Sequence, residues 1–254
     1  MDLKFRHGEF EEAVRNRLSV FGRPVTETDA ERVTELELSN FDFLPEDYET
    51  LFYFKNLTSL DINIGETTPD FWAHFPQMRE LWIVCWGKQA DFESFRAMKN
   101  LEHLWVSGGD ISNIPYVNLE ALPDLPKLSS LGLHEFGAVD IQPLSRMKQL
   151  KSFELLYANE VKNIEAIGKM TFLEELHLHD IAVDNLDFLD TLPDTLKIEL
   201  STVYVRENVG VTKLKRFTDR NIEGVGRDVG WHTGAELSRF KKEWSDRRSS
   251  DEIL

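Results

Sequence analysis

One frame, apolar-x-x-apolar-x-apolar, recurs along most of the chain and constrains its fold more than any other feature. It stands at Val33-Leu36-Leu38, Leu57-Leu60-Ile62, Met78-Leu81-Ile83, Leu101-Leu104-Val106, Leu128-Leu131-Leu133, Leu150-Phe153-Leu155 and Leu173-Leu176-Leu178. A weaker eighth copy is Thr195-Ile198-Leu200. Successive copies start 24, 21, 23, 27, 22, 23 and 22 residues apart. A period of roughly 20–29 residues marks a solenoid whose units bury a core only by stacking on one another.

The second half of each unit repeats as well. Ile141, Leu144 and Met147 precede Leu150; Ile164, Ile167 and Met170 precede Leu173; Leu186, Leu189 and Leu192 precede the eighth strand. Apolar residues at every third position suit a 3₁₀ turn, which eclipses i and i+3. Each unit is therefore expected to be a short strand with an extended or 3₁₀ return. The fold class is α/β, a solenoid with one parallel concave sheet of about eight strands. The 27-residue unit carries an insertion near Asn113 to Asp124, with Pro115, Pro123 and Pro126, expected as a longer convex-side loop.

This pattern resembles the leucine-rich repeat superfamily, in particular the class of about 22 residues seen in bacterial internalins. The resemblance covers roughly residues 10–203. It extends upstream, where Phe10 to Leu18 and Val25 to Ala30 look like the helical cap of internalin-like proteins. Phe10, Val14 and Leu18 recur at helical spacing and can cover the first repeat, while Thr28 or Asp29 can cap a second short turn. The chain departs from the class where Asn is usual, three positions past the last strand apolar. Phe41, Gly65, Trp86, Gly109, Phe136, Ala158, Ile181 and Val203 stand there.

The expected division is a cap over 1–32, repeats over 33–204 and a C-terminal cap or tail over 205–254. The tail has no repeat frame, and a helix is expected near 233–247. Leu237, Phe240 and Trp244 share one stripe there, and Thr233 with Glu236 forms a capping-box pattern. The tail either closes the solenoid or docks a partner; residues 249–254 are expected to fray.

Charge divides the same way. The whole chain carries 29 Lys plus Arg against 45 Asp plus Glu, a formal −16. Residues 1–204 hold 18 against 36, a net −18, so the acidity lies in the cap and repeats. Phosphate and anionic-membrane binding depend on Lys and Arg, so neither a nucleic acid nor a membrane is an expected partner. One cysteine, Cys85, makes no internal disulfide, and no signal-like or membrane-length apolar run occurs. The expected setting is cytoplasmic.

Alternate strand residues face the concave side. One column reads Glu37, Asp61, Trp82, Trp105, Gly132, Glu154, His177, Glu199. Its neighbours read Ser39, Asn63, Val84, Ser107, His134, Leu156, His179, Ser201 and Glu35, Ser59, Glu80, His103, Ser130, Ser152, Glu175, Lys197. Trp82 and Trp105 should sit on adjacent strands about 4.8 Å apart. Exposed Trp is costly without use and is enriched in binding hot spots. The candidate partner-binding residues are thus Trp82, Trp105, His103, His134, Glu154, Leu156 and His177. Glu35, Glu37, Asp61, Glu175 and Glu199 form an acidic rim. The competing reading is that the tail or insertion covers the tryptophans as core.

His177-x-His179, flanked by Glu154 and Glu199, has spacing compatible with a divalent metal, but no third ligand is defined and no metal is assigned. Titration of these histidines can alter partner affinity. No phosphate- or dinucleotide-binding loop and no serine-nucleophile motif occurs, so no catalytic residue or cofactor is assigned. The expected function is a non-enzymatic protein-binding module whose partner carries basic segments. Alternatives are an immunity-type neutraliser of a basic toxin, or an adaptor or structural protein.

Overall fold

A computed structural model describes residues 1–205 other than 44, 66–69, 86–91, 109–117, 184–186 and 194. The helix expected near 233–247, Trp86 and residues 113–117 of the insertion lie outside the described residues.

The eight frames become eight strands: β1 Glu35–Phe43, β2 Ser59–Ile64, β3 Glu80–Cys85, β4 His103–Ser107, β5 Ser130–Asp140, β6 Ser152–Lys162, β7 Glu175–Val183 and β8 Lys197–Val205. They form one parallel sheet in chain order. Frame residues pair with frame residues throughout, as in Leu81↔Leu104 and Leu131↔Phe153. They face inward, and Leu60, Leu81, Leu104, Leu131 and Leu176 are all buried. The eighth frame is corrected by one residue. Thr195 is exposed and Leu196 fills the core position, because burial selects the apolar neighbour over the hydroxyl.

Each return contains a 3₁₀ segment, among them Gln142–Arg146, Ile164–Lys169 and Asp187–Thr191. Between the return and the strand one carbonyl per repeat serves the next. The Thr58 carbonyl accepts from the Arg79 and Glu80 N–H groups, and the Lys151 carbonyl from Glu174 and Glu175. Such pairing satisfies backbone groups that the loop would otherwise leave open.

Three of the positions without Asn share one solution. Glu135, Tyr157 and Asp180 adopt left-handed backbone (φ 61°, 56° and 49°) immediately before Phe136, Ala158 and Ile181. Phe136, Ala158 and Ile181 follow these kinks and, with Val203, are buried apolar residues in mutual register. The sheet therefore continues past the corner, which lengthens β5 and β6 to 11 residues each.

The N-terminal end is closed by α1, Gly8–Leu18. Phe10 and Val14 are buried; Phe10 lies edge-on to Phe43 with ring centroids 5.0 Å apart. Leu18 is only half-buried. A short α2, Glu27–Ala30, is capped by Thr26 rather than by Thr28 or Asp29. Asp29 is the third helical residue and returns the bond to the Thr26 N–H, completing a capping box. A third short helix, α3, spans Tyr48–Leu51. Among the described residues no helix is long and apolar enough to cross a membrane.

Candidate binding face

The middle column pairs rung by rung, Glu37↔Asp61↔Trp82↔Trp105↔Gly132↔Glu154↔His177↔Glu199. The Glu35-to-Lys197 column is also in register. The Ser39 column is not, because β1 shifts after Leu38 and Asp42 meets Asn63. Ser39 instead donates its hydroxyl to Asp61 at 2.8 Å.

The two tryptophans share a rung but not an environment. Gly132 follows Trp105 on the rung, and a Cβ there would lie 2.1 Å from Trp105 Cδ1. The absence of that atom lets the indole lie across β5 and donate its N–H to Glu154 Oε1 on β6, at 3.2 Å. His134 packs on the indole with ring centroids 3.9 Å apart, and its Nε2 is 2.5 Å from the same oxygen. His177 Nδ1 stands 3.5 Å from the other carboxylate oxygen. The hydrogen bond from His134 chiefly holds the Glu154 carboxyl below the usual carboxylate range, against the opposing effect of burial. His134, expected on the partner-facing surface, is buried at 8% exposure because Trp105 and Glu154 enclose it. Trp105, Glu154, Leu156 and His177 are half-buried, and His103 is exposed.

Trp82 lies on the other side of this lock and is 38% exposed. It borders an open groove of about 660 Å³ at the N-terminal end of the sheet. α1 forms the opposite wall. Burial of Phe10 and Val14 turns Ala13, Asn16 and Arg17, at i, i+3 and i+4, toward the groove. Glu35, Glu37, Asp61 and Glu80 also line it, so four carboxylates face one guanidinium. Arg17 pairs with Glu35. Glu80 and the α1 wall were not among the expected site residues. Glu80 was visible in its column; the approach of α1 depends on how the cap packs.

At the far end, Glu175 pairs with Lys197 at 3.1 Å, and Glu199 is half-buried beside His177. His179 Nε2 approaches Asp180 at 3.3 Å. Among the described residues no group of three His, Cys, Asp or Glu side chains is arranged to hold a metal. Cys85 is buried, and burial pushes its thiol up to about 12, which disfavours the thiolate at neutral pH.

No family model matches the sequence. Leucine-rich repeat-containing G-protein coupled receptor 5 of Rattus norvegicus is 28% identical over 134 residues, 51% of this chain but 14% of that receptor. Among solved structures, internalin C2 of Listeria monocytogenes superposes with a TM-score of 0.63 at 16% identity, covering 86% of this chain and 92% of that one. The Arabidopsis HAESA receptor kinase ectodomain, in complex with an IDA peptide hormone ligand, gives 0.56 at 19% identity, covering 80% and 35%. The fold of this chain is that of the leucine-rich repeat proteins, with Listeria internalins among its structural neighbours.

Proposed function

We propose that the chain is a non-enzymatic protein-binding module that takes a protein segment on its concave face. The observation that carries this reading is Trp82, a large indole left 38% exposed on a sheet whose next tryptophan is tied down. An exposed aromatic beside a rigid, internally bonded surface offers contact area at low ordering cost. The fold neighbour solved with a peptide hormone supports a peptide or protein ligand. The acidity of the repeats favours a partner with Lys and Arg. Trp82→Ala should weaken partner binding by about 2 kcal/mol or more with an unchanged melting temperature. Trp105→Ala should lower the melting temperature, because Glu154 and His134 lose their partner. A purified partner that binds the Trp82→Ala protein as tightly as the wild type sinks the reading.

The net −18 of residues 1–204 also suits a neutraliser of a basic toxin. That version requires the protein to inhibit a basic toxin at stoichiometric concentration. A partner with no toxic activity excludes it.

A further inference from the structure

We propose that the groove between α1 and strands β1 to β3 seats a Lys or Arg side chain from an extended segment of the protein partner. The inference rests on the protein-binding reading above and assigns that partner's anchoring chemistry to one end of the face. Glu37, Asp61 and Trp82 occupy one rung of three successive strands, and Glu80 lies two residues before Trp82 on the same face. Strands spaced about 4.8 Å apart put carboxylates and an indole within the span of one long cationic side chain. Such a side chain can stack its charge on the indole and donate to the carboxylates.

Arg17 shows in outline how a cation is accommodated. It reaches from α1 and already pairs with Glu35, leaving an excess of three negative charges among the described lining residues. Among the described residues Ala13 and Asn16 form the wall opposite the sheet. A second copy of this chain is a poor occupant, because both copies carry a formal −16. A basic segment is electrostatically complementary.

The test uses the full chain and two probes. One is a nine-residue glycine–serine peptide with two central arginines. The other is its citrulline counterpart, which keeps the shape and loses the charge. The expected result is at least tenfold tighter binding of the arginine peptide, detected by its effect on Trp82 fluorescence. The Glu37→Gln, Glu80→Gln double variant should lose that tenfold with its melting temperature unchanged. Arg17→Ala should bind the arginine peptide several-fold tighter, since Glu35 is released; a purely structural Arg17 would give no gain. Equal affinity for both peptides, or no binding of either at millimolar concentration, overturns the groove. So does a loss that follows Glu199→Gln instead of the groove variants, or a dimer that only Trp82→Ala dissolves. In the first three cases a natural partner that still depends on Trp82 leaves the broader reading standing. A natural partner indifferent to Trp82→Ala removes that reading itself.

Discussion

Gly132 decides where the Trp105 indole can lie. A methyl group added there meets the Trp105 ring rather than a flexible tip, so the indole must leave its seat on Glu154. Gly132→Ala should therefore destabilise by about 1–3 kcal/mol, the usual cost of overpacking. It should also make Trp105 more accessible to a neutral fluorescence quencher, measured with the other tryptophans replaced by Phe. Unchanged quenching would mean that the indole is not held by this seat. Glu154 carries a pH signature. Its carboxyl is held below its ordinary range by His134 first and Trp105 second. Its contribution to stability is thus complete above the unfolded carboxylate value of about 4.3 and disappears as pH falls through the lower native value. Glu154→Gln should flatten that acid limb in denaturant titrations between about pH 5 and 3 while lowering stability at pH 7. An acid limb identical in both proteins would deny Glu154 this role. The column of residues was readable by strand alternation; the loss of His134 to the interior was not. Alternation says which face a side chain leaves, but not that a neighbouring indole and carboxylate will enclose it.

At the level of elements, the frame located where strands begin but not where they end. After Leu133 the next buried apolar residue is Phe136, three positions on, and a spacing of three reads as a return rather than a strand. The left-handed residues Glu135, Tyr157 and Asp180 absorb that odd residue, so pairing resumes beyond the corner. Such backbone is uncommon for side-chain-bearing residues and has no plain signature in the letters. The cap shows the same limit on a smaller scale. A second helical turn was legible near residue 28, yet Thr26 rather than Thr28 or Asp29 begins it. Asp29 is buried and held by Arg23, with Nη1 to Oδ2 2.6 Å and Nη2 to Oδ1 2.7 Å, besides its bonds to Thr26. That arrangement drives its carboxyl well below the usual range, Arg23 being the largest cause. Thr26→Ala should cost about 1 kcal/mol, with Thr26→Ser close to wild type. A loss equally large in Thr28→Ala would place the cap where spacing alone suggested.

For the whole molecule, stability belongs to stacking. Leu104 on β4 is packed between neighbouring repeats, and Leu104→Ala should lower stability by roughly 2–5 kcal/mol in a thermal or denaturant melt. An unchanged melt would contradict the register of the sheet. A one-dimensional array transmits such damage mainly to adjacent repeats, so the loss should spread outward from β4. The repeat was visible in the chain itself because each unit solves the same burial problem with the same spacing. Strand order, parallel pairing and the inward face all follow from that period, while the acidity of the repeats is a matter of counting. The division of this sheet face into a locked half and an open half is a different kind of property. It depends on one missing Cβ under Trp105 and on how α1 packs against Phe43 and Phe54, bringing Arg17 to Glu35. Those contacts join residues from different repeats and from the cap, and no local period encodes them. Only the packed tertiary structure decides which of the two tryptophans on that rung is left more exposed.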